Sequence, residues 1–222
     1  MDSDDRRKAI VSAAVPLFAR NGFAGTTTRE LAAAAGVSEA LLFRHFPSKQ
    51  SLYREILRLG CEGDPALERL AALPASTETV IHIVRFMVRR FVLGSDCERR
   101  DLDLKMRLML HSYIEDGDYV RELFAAIAPR VVPLFTASLA AAEAAGDLKP
   151  IAVSSANRFW FAQHVAAMMA FAFLPQEGVI PYEGSIDRLV DEAGDFILRG
   201  IGMTEQAIAA SRDESPLETA AD

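Results

Sequence analysis

Cysteine is scarce: Cys61 and Cys97 are the only two in 222 residues, too few for a disulfide framework. The opening Met1-Asp2-Ser3-Asp4-Asp5-Arg6-Arg7-Lys8 is charged where an export signal would turn apolar, so a reducing cytoplasm is the expected compartment. Sustained period-2 alternation of β-branched residues is also missing, and nothing reads as a half-buried strand. The apolar stretch Phe159 to Leu174 is sixteen residues long, short of the roughly 20 that span a bilayer. Gln163 and His164 interrupt it, so it is expected to be a buried helix of a soluble protein with no membrane partner. No nucleophile elbow, phosphate loop, HExxH helix or paired-carboxylate constellation occurs, which argues against an enzyme. No cofactor is called for.

Half of the chain is hydrophobic and a quarter charged, ample for a buried core. The net charge of −7 argues against nucleic acid until its distribution is read. From Arg6 to Arg58 there are nine basic residues (Arg6, Arg7, Lys8, Arg20, Arg29, Arg44, Lys49, Arg54, Arg58) against Glu30, Glu39 and Glu55, a net of +6. Everything outside that segment carries −13. A basic end on an acidic body is the footprint of a protein that meets DNA with one face.

Apolar residues recur at three- and four-residue spacing along nearly the whole length, which predicts an all-α chain. The first helix presents Ile10, Ala14, Leu17 and Phe18 on one face, contains Pro16, and stops at Asn21-Gly22. Thr27 to Glu30 is a capping box opening a second helix that ends at Gly36. Ser38 caps a third that Pro47 halts, and Ser48 caps a fourth. Thr77 to Leu93 is apolar almost all round and should be buried on several sides. Further helices are expected over Arg100–Ile114, Asp118–Ala145, Ser154–Leu174 and Glu183–Ile201, with a small, polar tail after Gly202.

Two short helices meeting at a turn centred on Gly36 form a helix-turn-helix. Leu31, Val37, Leu42 and Phe46 fall where they pack it onto the first helix. Ser38, Glu39, Ala40, Leu41, Phe43, Arg44 and His45 are left on the outer side, where Leu41 and Phe43 suit a thymine methyl better than water. Here the sequence resembles the TetR family of bacterial regulators, over about Arg6 to Leu57. The pieces are Leu17-Phe18-Ala19-Arg20-Asn21-Gly22-Phe23, Thr26-Thr27-Thr28-Arg29-Glu30-Leu31-Ala32, Ala35-Gly36-Val37-Ser38 and Leu42-Phe43-Arg44-His45-Phe46-Pro47-Ser48-Lys49, in order and with the family's spacing.

The resemblance implies a helix-turn-helix DNA-binding domain over 5–48, a helical ligand-binding and dimerisation domain over 49–203, and a disordered tail over 204–222. It places Thr27, Thr28 and Arg29 at phosphate or a base edge, Leu41, Phe43, Arg44 and His45 in the major groove with Ser38, Glu39 and Ala40, and Lys49 on phosphate. Phe43 replaces the family's usual Tyr and Ala40 its frequent Gly, which removes a phosphate hydrogen bond and limits backbone approach to a base. The implied partners are a double-stranded operator, a small-molecule effector and a second copy of the chain. The implied function is repression released by the effector, with metal or redox sensing, or activation, as the alternative.

Phe86, Met87, Met106, Met109, Trp160, Phe161 and Met168 are most simply core. The resemblance adds the alternative that they line a pocket for a lipophilic effector, with His111, Asn157, Gln163 and His164 as polar handles. His111 and Glu115 share a helix face at i, i+4, but without a second pair no metal site is expected. Acidic neighbours of Cys97 offset the basic ones, and Cys61 has no basic flank, so neither reads as a redox sensor. Ile186, Leu189, Val190, Ala193, Phe196 and Ile197 form the stripe expected to pair in a four-helix dimer interface.

Overall fold

Side-chain caps open most of the helices in the computed structural model, which describes residues 3–61, 65–94, 99–115, 117–175, 177 and 179–211. The helices are α1 (Ser3–Asn21), α2 (Thr28–Ala34), α3 (Glu39–His45), α4 (Lys49–Cys61), α5 (Pro65–Ala71), α6 (Thr77–Val92), α7 (Arg99–Ile114), α8 (Asp118–Ala145), α9 (Ser155–Ala172), α10 (Ile186–Gly200) and α11 (Glu205–Ala210). Thr27, Ser38, Ser76, Ser154, Ser185 and Thr204 each accept a backbone N–H in the first turn of the helix they precede, satisfying one donor that the helix cannot. Among the described residues there is no sheet, only one antiparallel bridge between Leu148 and Met203. The chain is all-α.

It divides into two compact units, residues 1–64 with 97–127 and residues 65–96 with 128–222. In the first, α1 packs against α2, α4 and α7. Its centre is an aromatic cluster: the Phe18 ring lies 5.0 Å from Tyr53 and 6.0 Å from Phe23, and Tyr53 lies 6.3 Å from Tyr119. Ile10, Ala14, Leu31, Leu42, Phe46 and Leu52 complete the core. Placing a domain boundary after residue 48 therefore separates α4 from its partners. Leu52, Tyr53 and Ile56 bury one face of α4 in the core that α1 supplies.

The second unit is built around α6, which packs against α9 and α10. Val80, Val84 and Val88 are wholly buried along it, as periodicity predicted. Phe135 of α8 meets Phe159 of α9 edge-on at 5.5 Å. One carboxylate lies in this packing: Asp195 is buried, with Arg85 at 3.6 Å and Arg199 at 3.8 Å.

Three sequence expectations change. Residues 204–211 are not a loose tail: Thr204 caps α11 and its N–H donates to Asp147 O, and Ala207 and Ile208 are buried. Such a short helix gives little periodic signal, and tertiary contact decides it; α5 was missed for the same reason. Phe159 to Leu174 is not buried all round, because Phe161, His164, Val165 and Met168 face outward. Among the described residues the helix with the length and hydropathy of a membrane span is instead α8. Val131, Phe135, Leu139 and Ala142 make it a core helix by burying one stripe at i, i+4, i+8 and i+11, while Arg130 pairs with Glu68 and Arg121 with Asp118 on its outer side. Residues 212–222, Cys97 and the Cys61 side chain lie outside the described residues.

Candidate DNA-binding surface

The capping box is complete. Glu30 N–H donates to Thr27 Oγ1 at 3.2 Å, and Thr27 N–H donates to Glu30 Oε2 at 2.8 Å. The Thr27 backbone donor and then its hydroxyl hold the Glu30 carboxyl below its usual range. At the turn Gly36 has φ +65, a conformation that disfavours any Cβ although open space surrounds the position. Val37 N–H reaches back to Ala32 O at 2.9 Å, and Ser38 restarts the chain as α3. Leu31, Leu42 and Phe46 are buried, and Ser38, Glu39, Ala40, Phe43 and Arg44 are exposed on the opposite side. Phe43, 41% exposed in water, stands beside Arg44 on that outer face.

The structure assigns several expected contacts a different immediate task. Thr28 Oγ1 donates to Glu39 Oε2 at 2.8 Å, so these two tie α2 to α3. His45 is not on the outer side: it is half-buried and its Nε2 is shielded from solvent without a hydrogen-bond partner. The three-residue step from Leu42 to His45 carries its ring back toward the packed face. Lys49 is largely engaged within the domain. Its Nζ donates to Phe23 O at 2.6 Å and Thr26 O at 2.9 Å, and lies 4.2 Å over the Phe23 ring. Two of its three N–H donors are thus spent before any phosphate arrives. Arg29 and Leu41 keep outward positions, exposed and half-exposed.

Sequence reasoning missed the residues that hold this surface in place. Arg7 of α1 donates to His45 O and pairs with Glu55, which also pairs with Arg58. Glu115, just past the end of α7, accepts the Phe23 N–H at 3.2 Å and sits 3.8 Å from His111 Nδ1. Glu115 is therefore engaged with the α1–α2 turn. Among the described residues no group of three or more His, Cys, Asp or Glu side chains could hold a metal. Charged residues at helical spacing carry no signal of which distant element they meet, so none of this was visible in one dimension.

Residues 10–56 match the profile of bacterial regulatory proteins of the tetR family. That segment is a TetR-type helix-turn-helix by sequence. Over 53 residues the chain is 47% identical to the regulator RutR of Escherichia coli K12, covering 24% of this chain and 25% of that one. Over a stretch of the same length it is 45% identical to the repressor KstR2 of Rhodococcus jostii RHA1, covering 24% and 26%. With AcrR of Shigella flexneri the match is 31% over 112 residues, half of each chain. The matches thus span only a quarter to a half of these relatives. Solved structures agree over more of the length at lower identity. A tetR-family regulator from Rhodococcus RHA1 superposes with a TM-score of 0.66 at 18% identity, over 92% of this chain and all of that one. AibR, solved with isovaleryl coenzyme A and operator DNA, gives 0.64 at 19%, over 86% and 97%.

The residues considered for an effector pocket fall in both units. Met106, Met109 and His111 belong to the first unit; Phe86, Met87, Asn157, Trp160, Phe161, His164 and Met168 belong to the second. Met87, Met106 and Met109 are buried, Phe86, Trp160 and His111 are partly covered, and Asn157 and His164 are exposed. Phe161 and Met168 are 56% and 66% exposed. The dimer stripe also splits. Val190, Ala193 and Ile197 are buried within the chain, whereas Ile186 and Phe196 are exposed and Leu189 is half-exposed. Phe161, Val165, Phe196 and Gly200 border an open groove of about 130 Å³ between α9 and α10.

Proposed function

We propose that this chain is a cytoplasmic, homodimeric transcriptional repressor that reads a double-stranded operator with α3 and releases it when a small lipophilic effector binds the helical body. The observation that carries the reading is the outer face of α3, where Phe43 and Arg44 stand exposed on a segment of net charge +6. An exposed aromatic next to a cation is poorly placed in water and well placed in a major groove, where Arg reads guanine or holds phosphate. Arg29, Ala40 and Leu41 complete the contact face. Thr28 and Glu39 frame it, and the remaining Lys49 N–H is available to a phosphate.

A single α3 covers too few base pairs for useful specificity, so two copies about 34 Å apart are required, one turn of B-DNA. The apolar face of α9 and α10 is the pairing surface: Phe161, Val165 and Met168 recur at i, i+4 and i+7 beside Leu189 and Phe196. That face removes Phe161, His164 and Met168 from the effector site and leaves Phe86, Met87 and Trp160 as its best members in the second unit. KstR2 is a repressor by name, which supports repression, and AibR is solved with an acyl thioester and operator DNA, which supports a small-molecule effector for an operator-binding protein of this fold.

The test is selection of a preferred duplex from random DNA, followed by titration of wild type and Arg44→Ala on it. Arg44→Ala should lose about 1–3 kcal/mol and relax preference at one position. Equal affinity for selected and random duplexes, or an Arg44→Ala variant indistinguishable from wild type, would overturn the docking mode.

A further inference from the structure

By composition Arg7 is one of nine cations in the basic segment, and electrostatics alone would count it toward the phosphates. Its surroundings give it another task. The side chain leaves α1 and meets two other elements of the domain. Nη1 donates to His45 O at 2.8 Å, Nε lies 3.3 Å from Glu55 Oε1, and the guanidinium carbon sits 4.2 Å from the centroid of the Phe46 ring. His45 is the last residue of α3 and Phe46 its C-cap, so the cation lies at the negative end of that helix and satisfies a carbonyl left without an intrahelical donor. Glu55 belongs to α4 and is itself gripped by Arg58 at 3.0 Å and 3.1 Å. Phe46 is buried, so the ring is a fixed platform.

We infer that Arg7 is a positioning residue: it locks the C-terminal end of α3 to α1 and α4 and thereby sets the direction in which Phe43 and Arg44 leave the domain. The inference rests on the DNA-binding reading above and adds a specificity determinant outside the helix-turn-helix. A planar fork is required. One edge serves a carbonyl, another a carboxylate, and the face stacks on an aromatic ring, an arrangement that the point charge of lysine does not reproduce.

The test uses the full-length protein, the selected duplex and a random duplex, with Arg7→Lys and Arg7→Ala measured over a range of salt. A phosphate contact keeps most of its affinity as lysine, and as alanine loses about one unit of the salt slope on both duplexes. A positioning residue behaves in the opposite way. Arg7→Lys should lose about tenfold or more on the selected duplex while binding the random one normally, and Arg7→Ala should keep the wild-type slope. Adding Glu55→Gln to Arg7→Ala should then cost little further, since both act through one junction. Circular dichroism of Arg7→Lys, the milder change, checks that helix content is retained. An Arg7→Lys protein that binds like wild type, or an Arg7→Ala slope lower by one ion, overturns the inference and leaves the DNA-binding reading intact. A wild type without sequence preference overturns that reading instead.

Discussion

Glu55 sits between two guanidinium groups with little exposure of its own carboxylate. Hydrogen bonding from Arg58 first, and then from Arg7 against the opposing effect of burial, lowers its pKa to about 2 from an ordinary 4.5. Because the folded value lies below the unfolded one, the stabilisation is fully present above about pH 4.5 and is lost as pH falls toward 2. Glu30, lowered by its capping bonds to Thr27, acts in the same direction, so the acid limb of the whole protein is a sum. The difference between wild type and Glu55→Gln isolates one contributor. The variant should melt lower than wild type at pH 6, and the gap should close progressively below pH 4.5. A gap independent of pH would show that the ionised carboxylate is not what stabilises this junction.

Where α1 ends, a backbone conformation and a distant helix depend on each other. Gly22 has φ +71, and a methyl group there would fall on Glu115 Oε1 and crowd His111 Nδ1. The same close approach lets Glu115 reach the Phe23 N–H. Gly22→Ala is therefore expected to cost about 1–2 kcal/mol in the left-handed backbone. A further ~1 kcal/mol follows from loss of the Phe23 hydrogen bond. Urea unfolding of Gly22→Ala beside Glu115→Ala, Gly22→Ala measures both parts, since removing the carboxylate relieves the crowding but not the backbone strain. A Gly22→Ala cost that is no smaller in the Glu115→Ala background would mean that Glu115 does not press on this turn. On the other side of the same turn Lys49 holds the carbonyls of Phe23 and Thr26. The loop leading into α2 is thus braced by α4 and the end of α7 together.

At the scale of the molecule, the outward apolar face of α9 and α10 is the feature a lone chain leaves unexplained. Phe196 is 68% exposed, while Val190 and Ile197 on the same helix are at 4%. One side of α10 packs within the chain, and the other is the side proposed to meet a second copy. Phe196→Glu should leave the monomer folded, because water surrounds the position, and should place an unpaired carboxylate in the dimer interface, which is strongly unfavourable. Sedimentation is expected to show a monomer at micromolar concentration, with helix content retained and binding to the selected duplex lost. A variant that stays dimeric would move the interface elsewhere.

Local chemistry in the sequence determined the helix-turn-helix: the Thr27–Glu30 capping box, the left-handed Gly36 and the Ser38 cap act within a few residues of themselves, and each has the predicted geometry. Helical periodicity likewise placed α6 to α10 within about three residues at their ends, and α8 to the residue. Tertiary structure decided the rest, because periodicity says that a face is apolar without saying what covers it. Val190 and Phe196 look alike in a stripe, yet the chain's own packing covers one and leaves the other open. Lys49 and Arg7 look alike as cations, yet each is claimed by carbonyls more than twenty residues away. A hydrogen bond over that separation depends on how helices cross, and that is fixed only when the whole core packs.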